Sequence, residues 1–154
     1  IYYIFIQLIM NLNTLNKDIK NNIIDCIIFK PKNKDELKKA VDLWYEDKEI
    51  AIKYYGHISL WNTSLIDDMS SLFRDKFRFN EDISNWDVSN VINMSYMFIY
   101  CKKFNQNINK WDVSSVTNMK CMFGQAHSFN QPLDSWDVSS VTTMYCMFEP
   151  CIHI

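Results

Sequence analysis

Apolar positions in the second half of the chain return on a fixed beat. Tryptophan stands at Trp61, Trp86, Trp111 and Trp136, and each is followed by the same columns: Val91/Val116/Val141, Met94/Met119/Met144, Met97/Met122/Met147 and Phe98/Phe123/Phe148. Ile66, Met69, Leu72 and Phe73 fill those slots in a worn first copy. A period of 25 residues marks an array of stacked units, each too small to bury its own apolar face. Counted from the valine, the columns lie three, six and seven positions on, which is one face of a helical turn or two. The Asp and Ser ahead of them, Asp87 with Ser89 and Asp112 with Ser114, are types that accept hydrogen bonds at a helix start. WDVSxV is therefore read as a helix entry. Between helices, Phe79-Asn80-x-x-Ile83, Phe104-Asn105-x-x-Ile108 and Phe129-Asn130-x-x-Leu133 place Phe and Ile on one face of an extended segment, which predicts a short strand. The expected fold is an α/β repeat, a solenoid of strand–helix coils over residues 61–154. Its coils are 61–85, 86–110, 111–135 and 136–154, stacked about 5 Å apart.

Upstream, the pattern changes to helical spacing without a repeat. Asn33 with Glu36 three positions on is a capping pattern, and Leu37, Val41 and Trp44 follow on one face. A second helical stretch, Lys48 to Tyr55, ends at Gly56, a common stop. Residues 31–60 are thus predicted to form a helical hairpin capping the first coil. Residues 1–30 are less defined. Their first ten, IYYIFIQLIM, are too few to span a bilayer, where about 20 are needed, and the stretch from Leu12 to Phe29 is read as a short helix or strand packing on the first coil. The chain does not begin with Met and is read as a fragment or a mis-started frame.

The composite pattern FN-x-x-I-x-x-WDVS-x-V-x-x-M-x-x-MF, with the lead-in KPKNKDELKKAVDLWYEDKEIAIKYYGHISLWNTSLIDDMSSLF, resembles the BspA-like family of leucine-rich-repeat surface proteins, whose 25-residue units occur also in mycoplasma-type lipoproteins and large-virus proteins. The resemblance covers roughly residues 30 to 151. It implies a leucine-rich-repeat solenoid and no catalytic activity. Bacterial relatives are often displayed at cell surfaces, yet no secretory signal or lipidation cysteine is legible near the start of this chain.

Composition narrows the function classes. With 154 residues, 48% of them hydrophobic, the chain can build a packed core. Lys and Arg number 9 against 8 Asp and Glu in residues 1–60, and 7 against 10 in residues 61–154, so the repeats carry about −3 and the lead-in about +1. That balance repels a phosphate backbone, and nucleic acid is not expected as a partner. Asparagine, abundant where glycine is nearly absent, is expected at left-handed turn positions.

Five cysteines in no metal spacing read as reduced thiols, which favours a reducing compartment; Cys121 and Cys146, in one column of adjacent coils, are the pair near bonding distance. The methionine and tryptophan columns read as core, each indole N–H seeking a backbone carbonyl. The carboxylate column Asp87, Asp112 and Asp137 has local work at each helix start, so no metal or other cofactor is expected. Asn80, Asn105 and Asn130 read as a ladder of side-chain amides satisfying turns. His57, His127 and His153 share no column, and no nucleophile motif or phosphate loop is present, so an enzyme is not expected.

The expected function is a non-enzymatic interaction module for a protein or glycan, in the manner of a surface or adhesin-like repeat protein. Its candidate surface is the set of non-core strand columns Glu81/Gln106/Gln131, Asp82/Asn107/Pro132 and Ser84/Asn109/Asp134. The alternative is a structural or assembly module that self-associates end to end through the coil breaking off after Cys151.

Overall fold

The computed structural model describes residues 28–149. The expectations for residues 1–27 and for the edge after Cys151 lie outside that span.

The first helix, α1 (Lys34–Glu46), begins where the Asn33/Glu36 pattern placed it. The Asn33 side chain accepts from the Glu36 amide at 3.0 Å, and Glu36 Oε2 accepts from the Lys32 amide at 2.9 Å. Helix α2 (Lys48–Tyr55) follows one residue later because Asp47 ends the first helix and caps the second, accepting from the Ile50 amide at 3.0 Å. It stops at Gly56, whose φ of 69° is left-handed. Leu37, Ala40, Val41, Trp44 and Ala51 bury the inner face of the hairpin. Trp44 meets Trp61 of the first repeat in a T-shaped contact at 5.9 Å.

The strand–helix solenoid expected for residues 61–154 does not form. Among the described residues the α-helices are α1 and α2, and no strand or sheet exists; the repeats contain neither element. The leucine-rich-repeat description fails with it. What the repeats do contain is a succession of turns. Residues Ser71, Tyr96, Cys121 and Cys146 share one column with φ of 57°, 59°, 51° and 52°, and Asp75, Tyr100 and Gln125 share another with φ of 62°, 62° and 60°. A left-handed residue at two places in each of the first three units, and at Cys146 in the fourth, ends any helix within a few positions. The Asp-x-Ser pairs cap no helix either. Asp87, Asp112 and Asp137 each accept the amide two residues on, at 3.1, 3.1 and 3.0 Å, which is a local Asx turn.

Each unit nonetheless lies in register on the next. Alternate amides reach to the neighbouring unit: Met94 to the Asn118 carbonyl at 2.9 Å, Tyr96 to Lys120, Phe98 to Met122 and Tyr100 to Gly124 at 2.8 Å each. The amides between them close turns inside their own unit, as Met97 does to Met94 at 3.2 Å and Cys101 to Phe98 at 2.9 Å. Alternation of right- and left-handed residues turns successive N–H groups in this way, and it leaves only isolated parallel bridges, Asp68 to Asn93, Asn93 to Asn118 and Asn118 to Thr143. We call each unit a rung.

Between the rungs run ladders of rings. Phe73, Phe98, Phe123 and Phe148 stack with centroids 5.3, 5.6 and 5.5 Å apart. Phe79, Phe104 and Phe129 stack beside them at 5.9 and 5.8 Å, and the two ladders touch at 4.0 to 4.2 Å. Burying each of the covered rings, Phe73, Phe79, Phe98, Phe104 and Phe123, contributes about 1.5–3 kcal/mol, whereas Phe148 at the end of its ladder is 59% exposed. Tryptophan closes the other side. Trp86, Trp111 and Trp136 each donate the indole N–H to a carbonyl of the previous rung or its lead-in, Ile58, Ile83 and Ile108, at 2.9, 3.2 and 3.1 Å.

Candidate functional site

The sequence-predicted columns fall along one edge of the stack, in the turn between each phenylalanine and the next tryptophan. Their first column is engaged internally. Glu81 is held by Lys48 of α2, with both carboxylate oxygens 2.9 Å from the ammonium. Gln106 donates to the Asn80 carbonyl at 2.9 Å and to its side chain at 3.0 Å, and Gln131 donates to the Asn105 side chain at 3.0 Å. These three are half-buried struts. The asparagines beside them form the anticipated ladder, since Asn80 accepts the Asn105 amide and Asn105 the Asn130 amide, at 2.9 Å each.

The other two columns face solvent more fully. Asp82, Asn107, Pro132 and Asp134 are exposed, whereas Ser84 and Asn109 are intermediate. Asp82 accepts the Ser84 amide at 2.9 Å, and Asn107 accepts the Asn109 amide at 3.0 Å, so both keep an Asx turn in shape. The Ser84 hydroxyl and amide hold the Asp82 carboxyl below the ordinary carboxylate range. Asn109 spans to the next rung, donating to Asp134 at 2.9 Å and to Ser135 at 3.1 Å.

Next to this edge lies a column the sequence had assigned only to local structure. Asp112 and Asp137 stand exposed, each with its pKa lowered by the hydroxyl and amide of the serine two residues on. With Asn109, Lys110, Trp111, Val113 and Ser135 they line an open cleft of about 370 Å³. The cleft offers carboxylates, an amide and a hydroxyl around the rim of a buried indole. These groups, with the Lys110 ammonium, can donate and accept hydrogen bonds to a bound molecule. Among the described residues no group of three His, Cys, Asp or Glu side chains could hold a metal ion.

The cysteines require a correction. Cys121 is disulfide-bonded and Cys146 is a free thiol, so the pair considered from the sequence is not joined, and the five thiols are not all reduced. Shared column position brings two cysteines close without fixing which sulfur each one meets. Cys101 is buried, donates to the Phe73 carbonyl at 2.9 Å, and has its pKa pushed up to about 12 by desolvation.

Residues 41–154 match the family described as "Mycoplasma protein of unknown function, DUF285". The chain belongs to this family. Its description assigns no activity, and the matched span takes in part of α1, α2 and every described rung. No curated protein and no solved structure matches the chain. Among the described residues no helix is long and apolar enough to cross a membrane.

Proposed function

We propose that this DUF285 chain is a non-enzymatic interaction module that holds a protein or glycan along the edge formed by Asp82, Asn107, Asn109 and Asp134 and the adjoining cleft. The observation that carries the reading is the division of labour along that edge. One column is spent on internal struts, while the two beside it present the exposed Asp82, Asn107 and Asp134 and the half-buried Asn109 next to a shallow cleft. A rigid, evenly spaced row of acceptors and donors suits an extended partner, whose own hydrogen-bonding groups also recur at a few ångströms. The resemblance to BspA-like surface proteins points the same way.

The test is a screen of the 154-residue chain against a glycan array and a displayed peptide library, followed by the variant D82K/N107K/D134K. All three positions are exposed, but each side chain accepts a hydrogen bond, so circular dichroism and a thermal melt confirm folding of the variant, and D82N/D134N, which keeps the side-chain acceptors, is measured beside it. Binding of the best ligand is expected to fall about tenfold or more, the loss of roughly 1.4 kcal/mol from a charged, solvent-accessible edge. Unchanged binding would place the surface elsewhere, and a screen without any ligand would leave the reading without support.

A further inference from the structure

A second edge of the stack has the opposite charge. It lies in the turn after the ringed Phe73 and Phe98, just ahead of the columns that begin at Glu81 and Gln106, and carries Arg74, Lys76, Phe77 and Arg78 on one rung and Lys102 and Lys103 on the next. Two of these cations are already neutralised. Lys76 is buried and paired with Asp42 of α1 at 2.6 Å, and Arg74 pairs with its neighbour Asp75 at 3.3 Å. The other three are different: Arg78, Lys102 and Lys103 are exposed, and among the described residues none has a carboxylate within ion-pair distance.

Aromatic rings hold two of those three in place. The Arg78 guanidinium lies 5.8 Å from the centroid of Tyr45 on α1, and the Lys102 ammonium 5.4 Å from that of Phe77. Phe77 is 45% exposed, and its carbonyl accepts the Lys103 amide at 3.2 Å, which fixes the two rungs against each other here. Such a cation is positioned without being neutralised, since a ring face supplies attraction but no formal charge. The patch is also short. The positions that continue the Lys102 and Lys103 columns on the following rung are His127 and Ser128, neither of them a lysine or arginine.

We propose that this edge docks a short acidic segment of a partner protein, with carboxylates against Arg78, Lys102 and Lys103 and an apolar side chain on Phe77. Successive rungs lie 5.3 to 5.9 Å apart at their rings, close to the ~6.6 Å between alternate side chains of an extended peptide. Two rungs of positive charge match two or three carboxylates. A nucleic acid gains nothing beyond them, and exposed carboxylates such as Asp112 and Asp137 repel its further phosphates. Exposed Phe77 at the centre of the patch favours a partner with an apolar residue among its acids.

Fluorescence anisotropy tests this with a labelled peptide of alternating glutamate and glycine carrying one central phenylalanine. The chain is expected to bind it at about 50 mM salt and more weakly at about 300 mM, and to ignore the lysine counterpart. R78E/K102E/K103E, altered only at exposed positions and checked by thermal melting, should weaken binding about tenfold or more, and Phe77→Ala should weaken it as well. D82K/N107K/D134K, which adds positive charge nearby, should not weaken it, which separates this patch from the edge proposed above. Undetectable binding, or a triple variant that binds as well as the parent, overturns the proposal. Tighter binding of oligothymidylate or of phosphatidylserine vesicles would also overturn it, by assigning the edge to another class. So would a larger species at low salt that the triple variant abolishes, which would make a second copy of the chain the occupant.

Discussion

At the residue scale, the tryptophan column does two jobs that a phenylalanine cannot share. Trp111 is 3% exposed and donates its indole N–H to the Ile83 carbonyl at 3.2 Å, while its ring shields the rung below. Trp111→Phe keeps an aromatic face but strands that carbonyl away from water and leaves a void where the second ring was. Loss of the bond costs about 1–3 kcal/mol and the void adds to it, so the variant is expected to lose roughly 2–4 kcal/mol of unfolding free energy in urea. Trp136→Phe should lose less, because Trp136 is 9% exposed and sits against the less covered rung of Val138 and Met144. Equal losses at the two positions would show that ring volume alone matters. Cys101 is the residue-scale counterpart on the other side of the rung. With its pKa near 12, only about one thiol in ten thousand is ionised at pH 8. Iodoacetamide mass mapping of the folded chain should therefore label Cys146 and spare Cys101; prompt labelling of Cys101 would mean that its cover is looser than the packing shows.

At the element scale, the chain was legible where a boundary has a side-chain signature and misleading where it does not. Asn33 and Gly56 mark the start of α1 and the end of α2 with chemistry that has few other uses, and the span expected for the second helix, Lys48 to Tyr55, matches the observed one; the end of α1 at Asp47 was not read from the sequence. Ladders of identical residues were equally plain, since repetition at 25 alone puts Asn80 beside Asn105. Inside a rung the same pattern has two solutions. Apolar residues three, six and seven apart line one face of a helix, but a run of turns closed by three-residue hydrogen bonds also brings them together. The deciding feature is left-handed backbone at Tyr96, Tyr100, Cys121 and Gln125, and no glycine announces it at those positions. The candidate surface was read in the same way. Which columns face outward followed from the apolar ones facing in, but the bonds that make Gln106 and Gln131 struts depend on turn geometry. Substitution at Gln125, where φ is 60°, distinguishes the two solutions by sign. In a helix Gln125→Gly would destabilise by about 1 kcal/mol. In the observed turn glycine relieves the left-handed strain, so the variant should be neutral or more stable by up to about 1 kcal/mol, and Gln125→Val should cost about 1–2 kcal/mol. Thermal melting of both variants measures the order.

At the scale of the whole molecule, the helical hairpin and the stack are joined by a seam that acid should open. Asp42 on α1 binds Lys76 of the first rung as well as Lys38 of its own helix, and Lys34 on α1 reaches Asp68 of the first rung at 3.0 Å. Partial burial desolvates both carboxylates, which alone would raise their pKa values. The paired lysines, with the Ser70 amide and hydroxyl at Asp68, outweigh it and leave both lowered. A carboxylate with a lowered folded-state pKa binds fewer protons folded than unfolded. Its stabilisation is complete above the unfolded value of about 4 and is lost as pH falls through the folded value. Both side chains are more than a third exposed, so solvent screens the pairs and each contributes no more than about 1 kcal/mol. Melting temperature should thus be level from pH 7 to about 5 and fall below about 4, and Asp42→Asn should lower it at neutral pH while flattening the acid limb. The Asx-turn carboxylates Asp82, Asp112 and Asp137 act in the same direction but sit within rungs, so they affect the stack and not the seam. Hydrogen exchange separates the two contributions. At pH 3.5 the amides of α1 and α2 should lose protection before those of Met94, Phe98 and Met119, whose bonds run from rung to rung. Simultaneous loss in both regions would show one cooperative unit in which the lysine–carboxylate seam has no separate role.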